Sequence, residues 1–185
     1  MRRLRDVLCE RPRILFVGIN PGLRSGQLGH HFAGKGNPFW RLLHASGLVP
    51  ELIAPEEDVR LADHGLALTN LCPRPTRSAA ELERAELERG RRALAAKIRR
   101  LEPQVVALVG LTLYGVALPA VGPRGAGAKP ERVDGARVFV LPNPSGLNAA
   151  FPGFAQKLVW FRRLRRFAAA AAATAAAPSA PRAAT

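Results

Sequence analysis

The sequence predicts an α/β domain built on a mostly parallel sheet with helices on both faces. Three observations lead there. Short, continuous apolar runs rich in Val, Ile and Leu read as strands buried on both sides: Ile14-Leu15-Phe16-Val17, Val105-Val106-Ala107-Leu108-Val109 and Val138-Phe139-Val140-Leu141. Segments with helical spacing of apolar residues alternate with them, as in βαβ units. Two of the runs end in loops of one character, Gly18-Ile19-Asn20-Pro21-Gly22 and Pro142-Asn143-Pro144-Ser145-Gly146-Leu147-Asn148. Open α/β sheets bind ligands at such strand ends, and glycine and proline there give close backbone approach and a rigid turn.

In chain order, residues 1–12 form a basic lead-in and residues 13–19 the first strand. A long loop rich in Gly and His is expected over 20–37. Pro38 opens a helix carrying Phe39, Trp40, Leu42 and Leu43, with Gly47 as its C-terminal stop. A short helix is expected at 56–63 and a strand at 66–70, which runs into Leu71-Cys72-Pro73-Arg74-Pro75-Thr76. Ser78 and Glu81 form a capping box for one long helix, acidic in its first half and basic in its second, as the helix dipole favours. Its apolar face is Leu87, Leu94, Ile98 and Leu101, so its charges read as a solvated face; Gly90 is expected to weaken or bend it. Pro103 ends that helix. After the strand at 105–109 come a helix around 113–118, a mobile Gly/Pro-rich loop at 122–130, a strand at 137–141 and a helix at 154–167. The Ala-rich remainder, 168–185, reads as a low-complexity tail whose alanine run can prolong that helix. The domain proper is thus 13–167.

At 185 residues the chain suits one domain with a sizeable core. Its formal net charge of +14 draws polyanions and favours nucleic-acid contact over a merely basic surface. Cys9 and Cys72 form no CxxC pair and read as free thiols of a reducing compartment. Neither a membrane-spanning run nor a secretory h-region is evident, so a cytoplasmic, membrane-free protein is expected. A loop pair of this kind on a basic chain suggests a pocket for a neutral polar ligand beside a polyanion.

Five motifs stand in order: Gly18-Ile19-Asn20-Pro21-Gly22-Leu23, Gly29-His30-His31-Phe32, Gly36-Asn37-Pro38-Phe39-Trp40, Thr69-Asn70-Leu71 with Arg74-Pro75-Thr76, and Asn143-Pro144-Ser145-Gly146-Leu147. Together they resemble the mismatch-specific uracil/thymine DNA glycosylases of the uracil-DNA glycosylase superfamily, over residues 13–167. The resemblance implies a three-layer α/β/α fold and a monomer that works on double-stranded DNA with G:U or G:T mispairs. It also implies base flipping and hydrolysis of the N-glycosidic bond without metal or cofactor. The chemistry stands on its own footing as well. Glycosidases usually bring two carboxylates to an oxocarbenium-like transition state, yet neither strand-end loop holds Asp or Glu. An amide can only hold and orient water, so the leaving base must supply much of the driving force, which suits uracil and its relatives.

By the resemblance, Asn20 is the water-positioning catalytic residue and His31 an assistant that polarises base or water. Taken alone, Asn20 is a turn residue capping nearby backbone, and His30-His31 a surface pair. Phe32 matches the aromatic that stacks on the flipped base, its alternative being a core phenylalanine. Ile19 and Gly22 would offer backbone amides to the base carbonyls, and Ser25 falls near where a thymine methyl would lie. Asn70 lines the pocket or caps its strand, and Asn143 joins the base-binding set. In the second loop Ser145 contacts DNA, Leu147 is a wedge or a buried leucine, and Gly146 and Asn148 meet the orphaned guanine. Ala149 and Ala150 stand where some relatives carry Arg, a role that Arg162, Arg163, Arg165, Arg166 or Arg182 would have to fill by phosphate contacts. Lys35 is the one lysine near the motifs, and the family uses no lysine nucleophile there, so a monofunctional enzyme is expected. Two other readings remain. One is a non-catalytic binder of damaged bases or abasic sites. The other is a nucleotide-binding protein with phosphate at the Asn20–Gly22 turn, against which the lack of GxGxxG counts.

Overall fold

The apolar runs do what continuous hydrophobicity demands: each becomes a strand with side chains buried on both faces. In a computed structural model that describes residues 4–118, 125–145 and 150–176, five strands form one sheet in the order β2-β1-β3-β5-β4. They are β1 (Ile14–Gly18), β2 (Leu66–Asn70), β3 (Val105–Val109), β4 (Gly127–Val133) and β5 (Ala136–Leu141). The first three and β5 run parallel, with Ile14 opposite Leu66 and Val105, and Val105 opposite Arg137. Strand β4 is antiparallel to β5 at the sheet's edge.

The pleat sends alternate residues to opposite layers. Ile14, Phe16, Leu68, Ala107 and Phe139 face one core with α2 (Phe39–Ala45) and α5 (Phe154–Ala176). Leu15, Val17, Val106, Leu108 and Val140 face a second core with α3 (Arg84–Leu101) and α4 (Leu111–Ala117). The result is the expected three-layer α/β/α sandwich. The sheet order also creates a switch point, because the chain leaves β1 for β2 on one side and reaches β3 on the other. Crevices outside the carboxyl ends of strands form at such points.

Four sequence expectations need correction. The loop expected over 20–37 contains a helix, α1 (Leu23–Leu28), closed by Gly29 at φ 82°. The single long helix from Ser78 is two pieces. Ser78 and Glu81 do cap, but only a 3₁₀ turn at Ala79–Glu81, after which Leu82 turns extended and α3 starts anew at Arg84. The mobile loop expected at 122–130 gives way to strand β4 from Gly127 onward, and residues 119–124 lie outside the described set. The alanine run prolongs α5 to Ala176, as its composition allowed. The short helix expected at 56–63 is a 3₁₀ stretch, Pro55–His64.

The basic lead-in is more than a tail. Val7 exchanges both backbone hydrogen bonds with Leu68, at 2.9 and 2.7 Å, so the segment runs antiparallel along the outer edge of β2 and covers it. Asp6 accepts from Thr69 Oγ1 at 2.6 Å and from Lys97 Nζ at 2.5 Å, which ties the segment to β2 and α3. Both cysteines are free thiols, Cys72 buried and Cys9 half-buried.

Candidate active site

The loops after β1 and β2 are sewn together. Leu71 N–H donates to Gly18 O, Cys72 N–H to Ile19 O and Thr76 N–H to Pro21 O, at 2.8, 2.9 and 3.1 Å. Above these strand ends, and those of β3 and β5, opens a cavity of about 310 Å³. Ile19, Asn20, Gly22, Ser25, His31, Phe32, Asn70, Asn143 and Ser145 all line it, so the structure gathers residues that lie up to 126 positions apart in sequence. Gly146, Leu147 and Asn148 lie outside the described residues. Among the described residues no Asp or Glu lines the cavity.

Asn20 caps neighbouring backbone, as its turn position alone allowed. Its Nδ2 donates to Thr76 Oγ1 at 2.6 Å and to the carbonyls of Pro21 and Arg74 at 3.1 and 3.2 Å. The two carbonyls only accept, and Thr76 Oγ1 spends its own proton on Ser78 O at 2.7 Å. The amide is therefore fixed with nitrogen inward. Its Oδ1 has no partner among the described residues and is not buried, so it remains an open acceptor on the cavity wall. The Arg74 carbonyl is held in turn, because the Arg74 guanidinium makes a two-pronged pair with Glu86 on α3, both contacts 2.7 Å. That pair and the Glu83 N–H hold the Glu86 carboxyl down at about 2.

His31 is no surface residue. It is 2% exposed, and each of its four polar atoms is engaged. Its N–H donates to Asp58 Oδ2 at 2.9 Å, and its carbonyl accepts from Trp40 Nε1 at 3.1 Å. Ring Nε2 donates to Arg5 O at 2.9 Å, and ring Nδ1 lies 3.5 Å from Asn70 Nδ2. Burial pushes the ring's pKa below its ordinary value, against the smaller opposing pulls of the Arg5 carbonyl, Asp58 and Asp6. His31 is thus a neutral imidazole at neutral pH, and it has no proton to spare for a ligand without giving up the Arg5 bond. His30 Nδ1 sits 3.4 Å from Asp58 Oδ1.

Phe32 holds a left-handed backbone at φ 52°, a conformation that costs an aromatic residue and that persists where surroundings impose it. Its ring stacks on Phe39 with centroids 3.9 Å apart and planes 18° off parallel. One face is thus backed by the core while the residue itself lines the cavity, a platform for a second flat group. Ser25 is buried, and its Oγ accepts from Ala33 N–H at 3.1 Å. Asn143 is exposed, and its Oδ1 accepts from Ser145 N–H at 2.9 Å, which shapes the second loop.

Sequence reasoning missed several contributors. Thr76 stands within a motif, but the sequence alone gives it no task. Asp58 and the lead-in residues Arg5 and Asp6 had none because the contacts that recruit them span 26 to 63 positions. Lys157 on α5 is a second lysine close to a motif loop, beside Lys35. The residue is 2% exposed, its ammonium donates to Ser145 O at 3.0 Å, and burial pushes its pKa down. It does not line the cavity, and its spacing from the second loop, about three helical turns' worth of sequence, hides the contact.

Comparison with solved structures finds the same architecture in the solution NMR structure of a Methanosarcina acetivorans protein described as a "putative Uracil DNA glycosylase". The TM-score is 0.61 at 21% identity, covering 89% of this chain and 98% of that one. That likeness concerns the fold. The sequence itself goes further: residues 5–165 match the family model of the Uracil DNA glycosylase superfamily, from the lead-in that buttresses His31 to the middle of α5, and this chain belongs to that superfamily.

Proposed function

We propose that this DNA glycosylase removes uracil, and with it thymine or cytosine adducts, mispaired with guanine in double-stranded DNA. The base swings out of the helix into the cavity, and water cleaves the N-glycosidic bond to leave an abasic site. The observation that carries the reading is the pinned Asn20 carboxamide in a cavity without carboxylates. A cavity wall of this kind offers water an acceptor but no strong base. Water adds to C1′ as the C1′–N bond breaks; the electron pair leaves on the base, and the proton shed by water is taken up by solvent or the departing base. Only a base able to carry negative charge leaves readily under those terms.

Flipping costs a few kcal/mol, least for a mispair, and stacking on an aromatic returns about 1–3 kcal/mol. Phe32, already backed by Phe39, is the platform for it. Leu147 is proposed as the wedge that fills the vacated step, with Gly146 and Asn148 meeting the unpaired guanine. The enzyme works as a monomer and without a lyase step, since the buried Lys157 ammonium is bound to Ser145 O and stands off the cavity. The test is incubation with duplexes holding G·U, G·T or A·U and with single-stranded U, followed by alkaline strand cleavage. Cleavage should be fastest at G·U. Equal rates at A·U and G·U would remove the mispair preference, and tight binding with no cleavage of any substrate would make the protein a damaged-base binder instead.

A further inference from the structure

Helix α5 buries one stripe of side chains, and a lysine stands in it. Phe161, Leu164, Ala168 and Ala171 recur at the spacing that turns one helix face to the core, and each is buried. Lys157 is the preceding member of that series and is buried with them. The position disfavours an ammonium on three counts. Burial strips a charge of its hydration. No carboxylate pairs with it among the described residues, and the sequence holds no Asp or Glu after Asp134. It also lies in the first turn of α5, at the positive end of the helix dipole.

What the residue does from there is hold one carbonyl. The sheet grips β5 as far as Leu141 O, which accepts from Gly110 N–H at 2.9 Å. Pro142 and Pro144 then have no N–H to offer, so side chains take over. Ser145 is held at both ends of its backbone: its N–H donates to Asn143 Oδ1 at 2.9 Å, and its carbonyl accepts from Lys157 Nζ at 3.0 Å. Asn143 and Ser145 both line the cavity, whereas Lys157 does not.

We propose that Lys157 is a positioning residue, which tethers the second loop to α5 through the Ser145 carbonyl and so fixes the wall of the cavity above β5 against an extruded nucleotide. The proposal rests on reading the cavity as a base pocket. Lys157 acts through Ser145 and touches neither base nor phosphate. Apolar stem and charged head divide the work: the stem continues the stripe of α5, and the head reaches the loop. A residue that costs stability yet sets the geometry of a site is the expected form of a trade between stability and activity.

The test is Lys157→Met, which keeps the stem, completes the apolar stripe and removes the ammonium. Its melting temperature should equal or exceed that of the wild type. Release of uracil from a G·U duplex in single turnover, with enzyme in excess, should nevertheless fall by about tenfold, as misplacement remote from the chemistry can cost. Affinity for a matched duplex should stay within about twofold, with an unchanged salt slope, since no phosphate contact is lost. A second measurement needs no variant. In the full chain labelled with ¹⁵N-lysine, the Lys157 ammonium protons should exchange with water at least about tenfold more slowly than those of the exposed Lys35. Four results would overturn the tether: release at the wild-type rate by the folded variant, a melting temperature that falls together with the rate, a salt slope flatter by about 1, or ammonium exchange as fast as at Lys35. Failure of the wild type to cleave any duplex would count against the base-pocket reading, while the exchange rates would still decide whether Lys157 is bound.

Discussion

Thr76 is the residue on which the Asn20 geometry turns. Its hydroxyl takes the Asn20 amide and passes its own proton to Ser78 O. Thr76→Val keeps the shape and removes both bonds, each worth about 1 kcal/mol. The base-release rate in single turnover should fall by about tenfold as Asn20 gains a second orientation, with affinity for a mispaired duplex little changed. His31 makes a prediction of a different kind. Its folded pKa is pushed below 6.5, so between those two values the unfolded chain binds a proton that the folded ring refuses. The His31 contribution to stability is full above pH 6.5 and is lost as pH falls through that window. Melting temperature against pH should show the loss in wild type and lack that component in His31→Phe. How much of this was legible beforehand differs by residue. Asn20, Phe32 and Asn70 sit at strand ends, and a strand end can be read from local pattern. The buried state of His31 could not be read, because it depends on a carbonyl 26 positions upstream in a segment with no helical or strand period of its own.

At the level of elements, the close seating of α3 on the β2 loop rests on Gly90. A Cβ there would stand 2.5 Å from the Leu71 carbonyl oxygen and 3.1 Å from Leu71 Cγ. In an ordinary helix interior Gly→Ala gains up to about 1 kcal/mol. Here the obstacle is backbone, and Gly90→Ala should cost about 1–3 kcal/mol by overpacking, read as a lower denaturant midpoint with an unchanged slope. Leu71 donates to Gly18 O, so the same shift reaches the cavity floor. In sequence Gly90 is only a weak point in a helix, since close approach to a distant loop leaves no trace in local pattern. Strand β4 was missed for a related reason. Its Gly and Pro residues signal a loop, but an edge strand tolerates Pro130, and the alternation of half-buried and exposed residues along Gly127–Val133 follows the pleat. The buried strands β2 and β3 were read to the residue, because continuous apolar runs bounded by Gly, Asn or Pro have few other uses.

Across the whole molecule, the +14 charge is not spread as a single stripe. Many arginines away from the cavity are committed: Arg74 to Glu86, Arg60 to Glu51 and Glu57, Arg84 to Glu88, Arg11 to Glu102. Arg24 and Arg77 line the cavity mouth, are exposed, and have no ion-pair partner among the described residues. On the proposed function they would meet the phosphates on either side of an extruded nucleotide. Each phosphate neutralised contributes about −0.9 to the slope of log affinity against log salt. The Arg24→Gln, Arg77→Gln double variant should therefore flatten that slope by about 2, uniformly for matched and mispaired duplexes, as phosphate contacts carry no sequence information.

The proposed activity rests on one carboxamide whose nitrogen is pinned and whose oxygen is left for water. Single-turnover release of uracil from a G·U duplex, measured beside the duplex dissociation constant for wild type and Asn20→Ala, tests it most directly. Base release should fall by about a hundredfold or more, the scale of a lost proton-handling or water-orienting group, while the dissociation constant stays within about threefold. An alanine variant that releases uracil at the wild-type rate would contradict it.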